Sequence, residues 1–391
     1  MAQAQRRVPQ ARGAAVRDAR AVGRRRKRVG EVVDAALGDV GVPRQTGPQP
    51  AVERAGRDGA ARWRRPLPPV EQVRPGLWSI PVPLPWAKPA HVFVYVFETS
   101  TGPFLMDAGW DFDEAFDELQ AGLAMIGMSV ADVRGVVVTH AHLDHYGLAN
   151  RIREASGAWV SLHRLDEAML RHFEHGYADR ISELMIRAGA PAEMTERLLA
   201  GYQQPAPGLS RPDILLEDGD RPDIPGWDLT ALWTPGHSPG HLCFWEPTNR
   251  LLFSGDHVLP STAVGVSAPE EAVPDPLGDY LRSLARLRSL PAEEVLPAHE
   301  YRFTGLERRL AELDAHHAGR LSEVVEGLRA GASRVWDVAG YVTWHRPFRN
   351  LRGVALQNAV MDTMSYLATL EATGAARSEP GTPDRWRLIE P

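Results

Sequence analysis

Gly135-Val136-Val137-Val138-Thr139-His140-Ala141-His142-Leu143-Asp144-His145-Tyr146-Gly147 is the stretch that decides how this chain folds. Its first half is a short β-branched run behind a glycine, which predicts a buried strand. Its second half places three imidazoles and a carboxylate within six residues, so the cluster sits where a strand ends and a loop begins. In extended backbone His140 and His142 project to one side, because side chains alternate with period two. Asp144 and His145 follow on a loop able to fold back beside them. Imidazole nitrogen and carboxylate oxygen are ligands of zinc and related divalent ions. With 14 histidines in the chain, random placement would produce H-x-H-x-x-H only about 0.02 times. The cluster therefore calls for further ligands elsewhere.

They recur at the ends of other strands. Leu229-Thr230-Ala231-Leu232-Trp233 leads into Thr234-Pro235-Gly236-His237-Ser238-Pro239-Gly240-His241. Leu251-Leu252-Phe253-Ser254 leads into Gly255-Asp256-His257, and Glu294-Val295-Leu296 into Pro297-Ala298-His299-Glu300-Tyr301. Earlier, the strand His91–Phe97, the turn Thr101-Gly102-Pro103 and the return strand Phe104–Met106 read as a hairpin ending in Asp107. Each time a short apolar run gives way to a ligand-type residue. Strand ends gathered at one sheet edge are where α/β proteins build their sites.

The remaining elements are read from periodicity. Phe116, Leu119, Leu123 and Ile126 share one face of a helix from about Asp113, and another helix covers Leu148–Ala155 before the strand Trp159–Leu162. Residues 165–201 read as a helical insert whose apolar positions include Met169, Leu170, Phe173, Ile181, Leu184, Met185, Met194, Leu198 and Leu199. Core packing accounts for such a stripe, and a lid over a substrate pocket is the competing reading. Gln203 to Pro225 reads as loop. Tyr280–Leu290 is amphipathic, and Leu306, Leu310, Leu313, His317, Leu321, Val324 and Leu328 mark one long helical face. Shorter helices near 335–340 and 354–370 follow. The expected division is a disordered basic arm over 1–65, a catalytic domain over 66–305 and a mostly helical domain over 306–391.

Composition bounds the function. The chain is 43% hydrophobic and 24% charged, an ordinary globular balance. No apolar run approaches the roughly 20 residues of a membrane-spanning helix. The basic N-terminus lacks the apolar stretch of a secretory signal. One cysteine, Cys243, excludes an internal disulfide and fits a cytoplasmic setting. Residues 1–65 hold 16 Lys+Arg and 6 Asp+Glu, a net of +10 against −6 for the whole chain. The remainder is net −16, a poor general partner for nucleic-acid phosphates.

The set His140-x-His142-x-Asp144-His145, His237 in T-P-G-H, Asp256 in S-G-D and His299 in P-A-H resembles the metallo-β-lactamase superfamily over roughly residues 75–305. That resemblance implies an αβ/βα sandwich: two mixed sheets face to face, helices outside, the site at one edge. It implies two divalent ions, zinc foremost and iron or manganese as alternatives. His140, His142 and His237 would hold one, Asp144, His145 and His299 the other, with Asp256 between them. Asp107 falls at the family's structural aspartate. Asp144 would orient a metal-bridged hydroxide and carry its proton, for attack on a small ester, thioester or lactone. The bridging Asp256, and the absence of a cysteine in ligand position, resemble glyoxalase II, lactonases and phosphodiesterases more than cysteine-ligated β-lactamases. His299-Glu300-Tyr301 also resembles glyoxalase II, but the basic residues that hold glutathione have no counterpart here. The helical tail resembles the winged-helix-like tail of lactamase-like proteins, one an endoribonuclease. A phosphodiesterase or ribonuclease is therefore the second reading and an iron-dependent oxidoreductase the third. A small-molecule substrate is expected, with no membrane or nucleic-acid partner. The oligomeric state is open, a homodimer among the options. His241 is assigned an orienting or packing role, and His257 and Cys243 structural ones.

Overall fold

The computed structural model of the protein describes residues 66–86, 89–174, 176–202 and 208–389. The arm expected over 1–65 lies outside them. Two sheets pack face to face. The larger has seven strands in sequential order: β1 (Glu71–Arg74), β2 (Leu77–Pro83), β3 (His91–Phe97), β4 (Phe104–Met106), β5 (Gly135–Val137), β6 (Trp159–His163) and β7 (Ile214–Leu216). The first four are antiparallel and the last four run parallel. The smaller sheet has the order β11-β10-β9-β8, from β8 (Thr230–Trp233), β9 (Leu242–Glu246), β10 (Leu251–Gly255) and β11 (Glu294–Pro297).

Helices α1 (Asp113–Met125), α2 (Leu143–Tyr146), α3 (Ala149–Ser156), α4 (Arg164–Glu174), α5 (Tyr177–Ala188), α6 (Ala192–Leu199) and α7 (Pro276–Leu287) cover the outer faces. Beyond them come α8 (Leu306–Arg329), α9 (Val335–Ala339) and α10 (Gly353–Ala372), then a hairpin of β12 (Ala376–Glu379) and β13 (Arg385–Leu388).

Burial explains the layers. Phe93, Tyr95, Phe97, Phe104, Met106 and Val137 of the large sheet meet Ala231, Leu242, Phe244, Leu251, Phe253 and Leu296 of the small one. The alternate residues of the large sheet, among them Val92, Val94, Val96, Leu105 and Val136, face Leu119 and Leu123 of α1 and Ile152 of α3. With both faces covered, β3 and β5 read as continuous apolar runs rather than alternating ones. Helix α1 lies close on β2 because Gly122 leaves room: a Cβ there would come within 2.4 Å of Ile80. Helix α7 starts sharply, with Asp275 accepting from the Gly278 amide and Pro276 in the first turn.

A third core, outside the small sheet, joins α7 to the C-terminal helices and takes in Ile181, Leu184, Met185, Ala188 and Leu198 of the insert. Met169, Leu170 and Phe173 pack instead with the core between the large sheet and helices α1 and α3. The insert's apolar stripe is thus packed into two cores. The αβ/βα sandwich with a mostly helical C-terminal region is observed as expected. Three local expectations need correction. Asp144 and His145 sit on the helical turn α2, not on an open loop. The stretch 203–225 contains β7, whose apolar run Ile214-Leu215-Leu216 is only three residues long and stands among prolines and acidic residues. The β12–β13 hairpin was unforeseen: its alternation is confined to the four residues Arg385-Trp386-Arg387-Leu388, and Arg377-Ser378-Glu379 opposite them is polar throughout. Among the described residues no helix is long and apolar enough to cross a membrane.

Candidate metal centre

Strand direction brings the ligand-type residues together. Strands β4 and β5 run parallel, as do β10 and β11, and β8 shares their direction because β9 opposes both β8 and β10. The C-terminal ends of five strands therefore meet at one edge of the sandwich. Asp107 follows β4, the His140–His145 segment follows β5, His237 follows β8, Asp256 follows β10 and His299 follows β11.

His140, His142 and His237 form one group of converging donors. Their facing atoms are Nε2 of His140, Nδ1 of His142 and Nε2 of His237, with the Nδ1 of His142 2.9 Å and 3.0 Å from the other two. Asp144, His145 and His299 form a second group, and Asp256 joins His140 and His145 in a third that overlaps both. Asp256 faces both sides. Its Oδ2 lies 3.6 Å from His237 Nε2, and its Oδ1 lies 3.6 Å from His145 Nε2 and 3.4 Å from His299 Nε2. His299 Nε2 is also 3.3 Å from Asp144. All seven expected residues are brought together.

The outward nitrogens fix which ring atom faces inward. His237 Nδ1 donates to the Gly265 carbonyl at 2.8 Å, and His299 Nδ1 to the His91 carbonyl at 2.9 Å. His145 Nδ1 donates to the Asp107 carboxylate at 2.9 Å. Thr139 hydroxyl gives its proton to Asp107 and so accepts from His140 Nδ1 at 3.0 Å. In each ring the proton is held outside and the Nε2 lone pair is turned inward, the arrangement that binds a cation.

Burial pushes His140 well below the ordinary histidine range, helped by His145 and His142. Burial and His237 lower His142 to about 3. Burial opposes ionisation of Asp144, yet His145 and His299 overcome it and hold the carboxyl at about 2. Asp256 is likewise well below the carboxylate range, because His299 and His145 outweigh burial. His145 is raised despite its burial by Asp107, Asp144 and Asp256. His299 is raised as well, because Asp256 and Asp144 outweigh its burial, so the ionised carboxylates draw positive charge to the side of the centre that holds His145 and His299, while His140 and His142 stay neutral. His145 Nε2 and Asp256 Oδ1 are buried without a hydrogen-bond partner. Buried polar atoms seldom stay without a hydrogen bond, and an imidazole nitrogen and a carboxylate oxygen left so, 3.6 Å apart, are the donor types that divalent cations take.

Sequence reasoning missed one organiser. Asp166, fully buried, accepts from the Ala141 amide at 2.9 Å, the Ser238 hydroxyl at 2.7 Å and the Gly240 amide at 2.6 Å. It ties the His140–His142 segment to the turn that carries His237. As an acid in the first turn of α4 it reads only as a favourable helix-dipole charge, so its sequence context held no clue. Gly236, at φ 140°, lets that turn pass α7: a Cβ there would meet Tyr280 at 2.4 Å. His241 accepts from the Asp256 amide at 3.2 Å, in keeping with an orienting role. Cys243 lies in β9, buried, with Thr234 donating to its sulfur. Tyr301 is 56% exposed.

Comparison with known proteins gives a consistent picture. The profile described as the metallo-beta-lactamase superfamily matches residues 87–299. The lactamase-like protein adaB of Aspergillus niger is 31% identical over 125 residues, 32% of this chain and 37% of that one. The probable metallo-hydrolase YqjP of Bacillus subtilis (strain 168) is 27% identical over 238 residues, 59% of this chain and 73% of that one. A hydroxyacylglutathione hydrolase of Pseudomonas aeruginosa is 31% identical over 159 residues, 39% of this chain and 56% of that one. The match thus spans little more than a third of the first of these and about half of the last. Among solved structures, a metallo-beta-lactamase family protein from Thermus thermophilus superposes with TM-score 0.69 at 28% identity, over 81% of this chain and 100% of that one. A beta-lactamase domain protein from Burkholderia ambifaria shares the fold, with TM-score 0.66 at 23% identity over 82% and 95%.

Proposed function

This chain belongs to the metallo-β-lactamase superfamily, and we propose that it is a dinuclear metal hydrolase of a small ester, thioester or lactone. That it is a hydrolase follows from the family and its relatives; the two-ion mechanism and the substrate class are our reading. One observation carries it. Donors from four strand ends converge in two groups joined by a third that holds Asp256, and His145 Nε2 and Asp256 Oδ1 at their junction are buried without a hydrogen bond.

His140, His142 and His237 would hold one ion, Asp144, His145 and His299 the other, and the two oxygens of Asp256 would reach both. Nitrogen and oxygen donors without sulfur suit zinc, and also iron or manganese. Divalent ions so held acidify a water and withdraw electron density from a carbonyl oxygen. Asp144 is the residue placed to handle the proton. Its side chain is 16% exposed, more than those of Asp256 and His299 beside it, and its carboxyl is ionised. It orients a water by accepting a hydrogen bond at its carboxylate, takes the proton as the water attacks, and returns it to the departing alkoxide or thiolate. The acidic chain beyond residue 65 argues for a small substrate over nucleic acid. The name of one relative, hydroxyacylglutathione hydrolase, supports an acyl substrate. The lone buried cysteine supports a cytoplasmic setting.

Metal content by mass spectrometry, followed by a panel of thioesters, lactones and bis-p-nitrophenyl phosphate, tests this. Two equivalents of a divalent ion, chelator-sensitive thioester or lactone hydrolysis and no phosphodiester cleavage are expected. Turnover of the phosphodiester alone would shift the reading to a phosphodiesterase. Redox-active iron with oxygen uptake and no hydrolysis would replace it with an oxidoreductase.

A further inference from the structure

The peptide group between Gly265 and Val266 is held from both sides. Its carbonyl accepts from His237 Nδ1 at 2.8 Å, and its amide donates to Asp362 Oδ1 of α10 at 2.8 Å. A trans peptide points these two groups in opposite directions, so one planar unit links an imidazole of the centre to a carboxylate of the C-terminal helix. The rest of the loop is fastened by the same region. Arg309 of α8 donates to the Leu259 and Thr262 carbonyls at 2.7 and 3.0 Å, and Ser365 of α10 donates to the Ser267 carbonyl at 2.5 Å. Ser267 in turn donates from its amide and its hydroxyl to the Gly236 carbonyl, at 2.9 and 3.1 Å, next to His237 itself.

We infer that Asp362 is a positioning residue for the metal centre: through the 265–266 peptide it sets the direction and basicity of His237 from the C-terminal region. The argument is one of hydrogen-bond polarisation. A carboxylate accepting from a peptide N–H increases the negative charge on that peptide's carbonyl oxygen. A more negative carbonyl holds the Nδ1 proton of His237 more firmly and makes Nε2 the better donor. His145 receives the same assistance directly from Asp107. For His237 the carboxylate acts one peptide further out and arrives from 125 residues downstream. The C-terminal helices thus complete the centre, beyond covering the small sheet.

This inference rests on the metal reading above, and the test separates the two. Wild type, Asp362→Ala and Asp362→Asn are titrated with zinc at pH 8, where Asp362 is ionised, against a chromophoric chelator, with circular dichroism melting to verify folding. In Asp362→Ala one of two equivalents should weaken by about 10–100-fold, the usual effect of removing an outer partner of a ligating histidine, while the other stays within about threefold. Asp362→Asn keeps an acceptor oxygen without the charge and should lie between wild type and alanine; it carries the test alone if the alanine variant does not fold. Wild-type affinity for both equivalents in the folded variants would overturn the inference, as would equal weakening of both. A wild-type protein that binds no divalent metal would overturn the metal reading itself and this inference with it.

Discussion

Asp107 and His145 face each other across 2.9 Å in the interior, and Asp107 holds a left-handed backbone at φ 62° to do so. A non-glycine residue in that region stores about 1–3 kcal/mol of strain, a pattern that clusters at functional sites. The carboxylate also accepts from the amide and hydroxyl of Thr139, so it orders two ligand-bearing segments at once. In Asp107→Asn the side-chain NH2 can turn towards His145 Nδ1 and force the proton onto Nε2, which then cannot bind a cation. The second metal equivalent should weaken by about 10–100-fold, as read by chelator competition. Unchanged affinity would mean that Asp107 serves only to tie β4 to β5.

Asp144 is assigned the proton. Asp144→Asn keeps its size and one acceptor oxygen but cannot take a proton at neutral pH. kcat should fall by about 10²–10⁴, the usual contribution of a positioned acid–base group, in steady-state assays on metal-loaded protein. A variant within threefold of wild type would remove Asp144 from the mechanism.

Asp362 gives a pH signature in stability. Burial pushes its carboxyl up to about 7, against the lowering effects of the Val266 amide and Arg320 of α8. Its folded value thus exceeds its unfolded one, so the folded state binds the proton more tightly. The stability it contributes is present below about pH 4 and is lost as pH rises towards 7. Asp362→Asn stays uncharged, so its melting temperature relative to wild type should rise between pH 5 and pH 8. A constant difference across that range would show that the group titrates normally.

Cys243 is raised to about 12 by burial in β9, with some relief from Thr234. Because the thiolate is the reactive form, native protein should resist iodoacetamide at pH 8 and react only once unfolded, as followed by intact mass. Rapid modification of the folded protein, or protection by added metal, would place the sulfur near the cations and contradict its position here.

Most of the ligand set was legible in the sequence. His140, His142, Asp144, His145, His237, Asp256 and His299 each follow a short apolar run, and a buried strand is signalled locally by its own residues. The hairpin to Asp107 and the long amphipathic face of α8 are local in the same sense. What the chain alone determined was thus the donor inventory and the ends of the strands that carry it. Only the tertiary structure decided which donors face one another, which ring nitrogen turns inward, and which carboxylates stand behind them. Asp166 reaches Ser238 across 72 positions and Asp362 reaches Val266 across 96. Neither pairing leaves a period or a spacing in the sequence, because a hydrogen bond between distant segments depends on how the sandwich closes and not on the residues adjoining either partner. The same holds for β7, whose strand identity comes from the free edge of β6 that it joins and not from any alternation of its own.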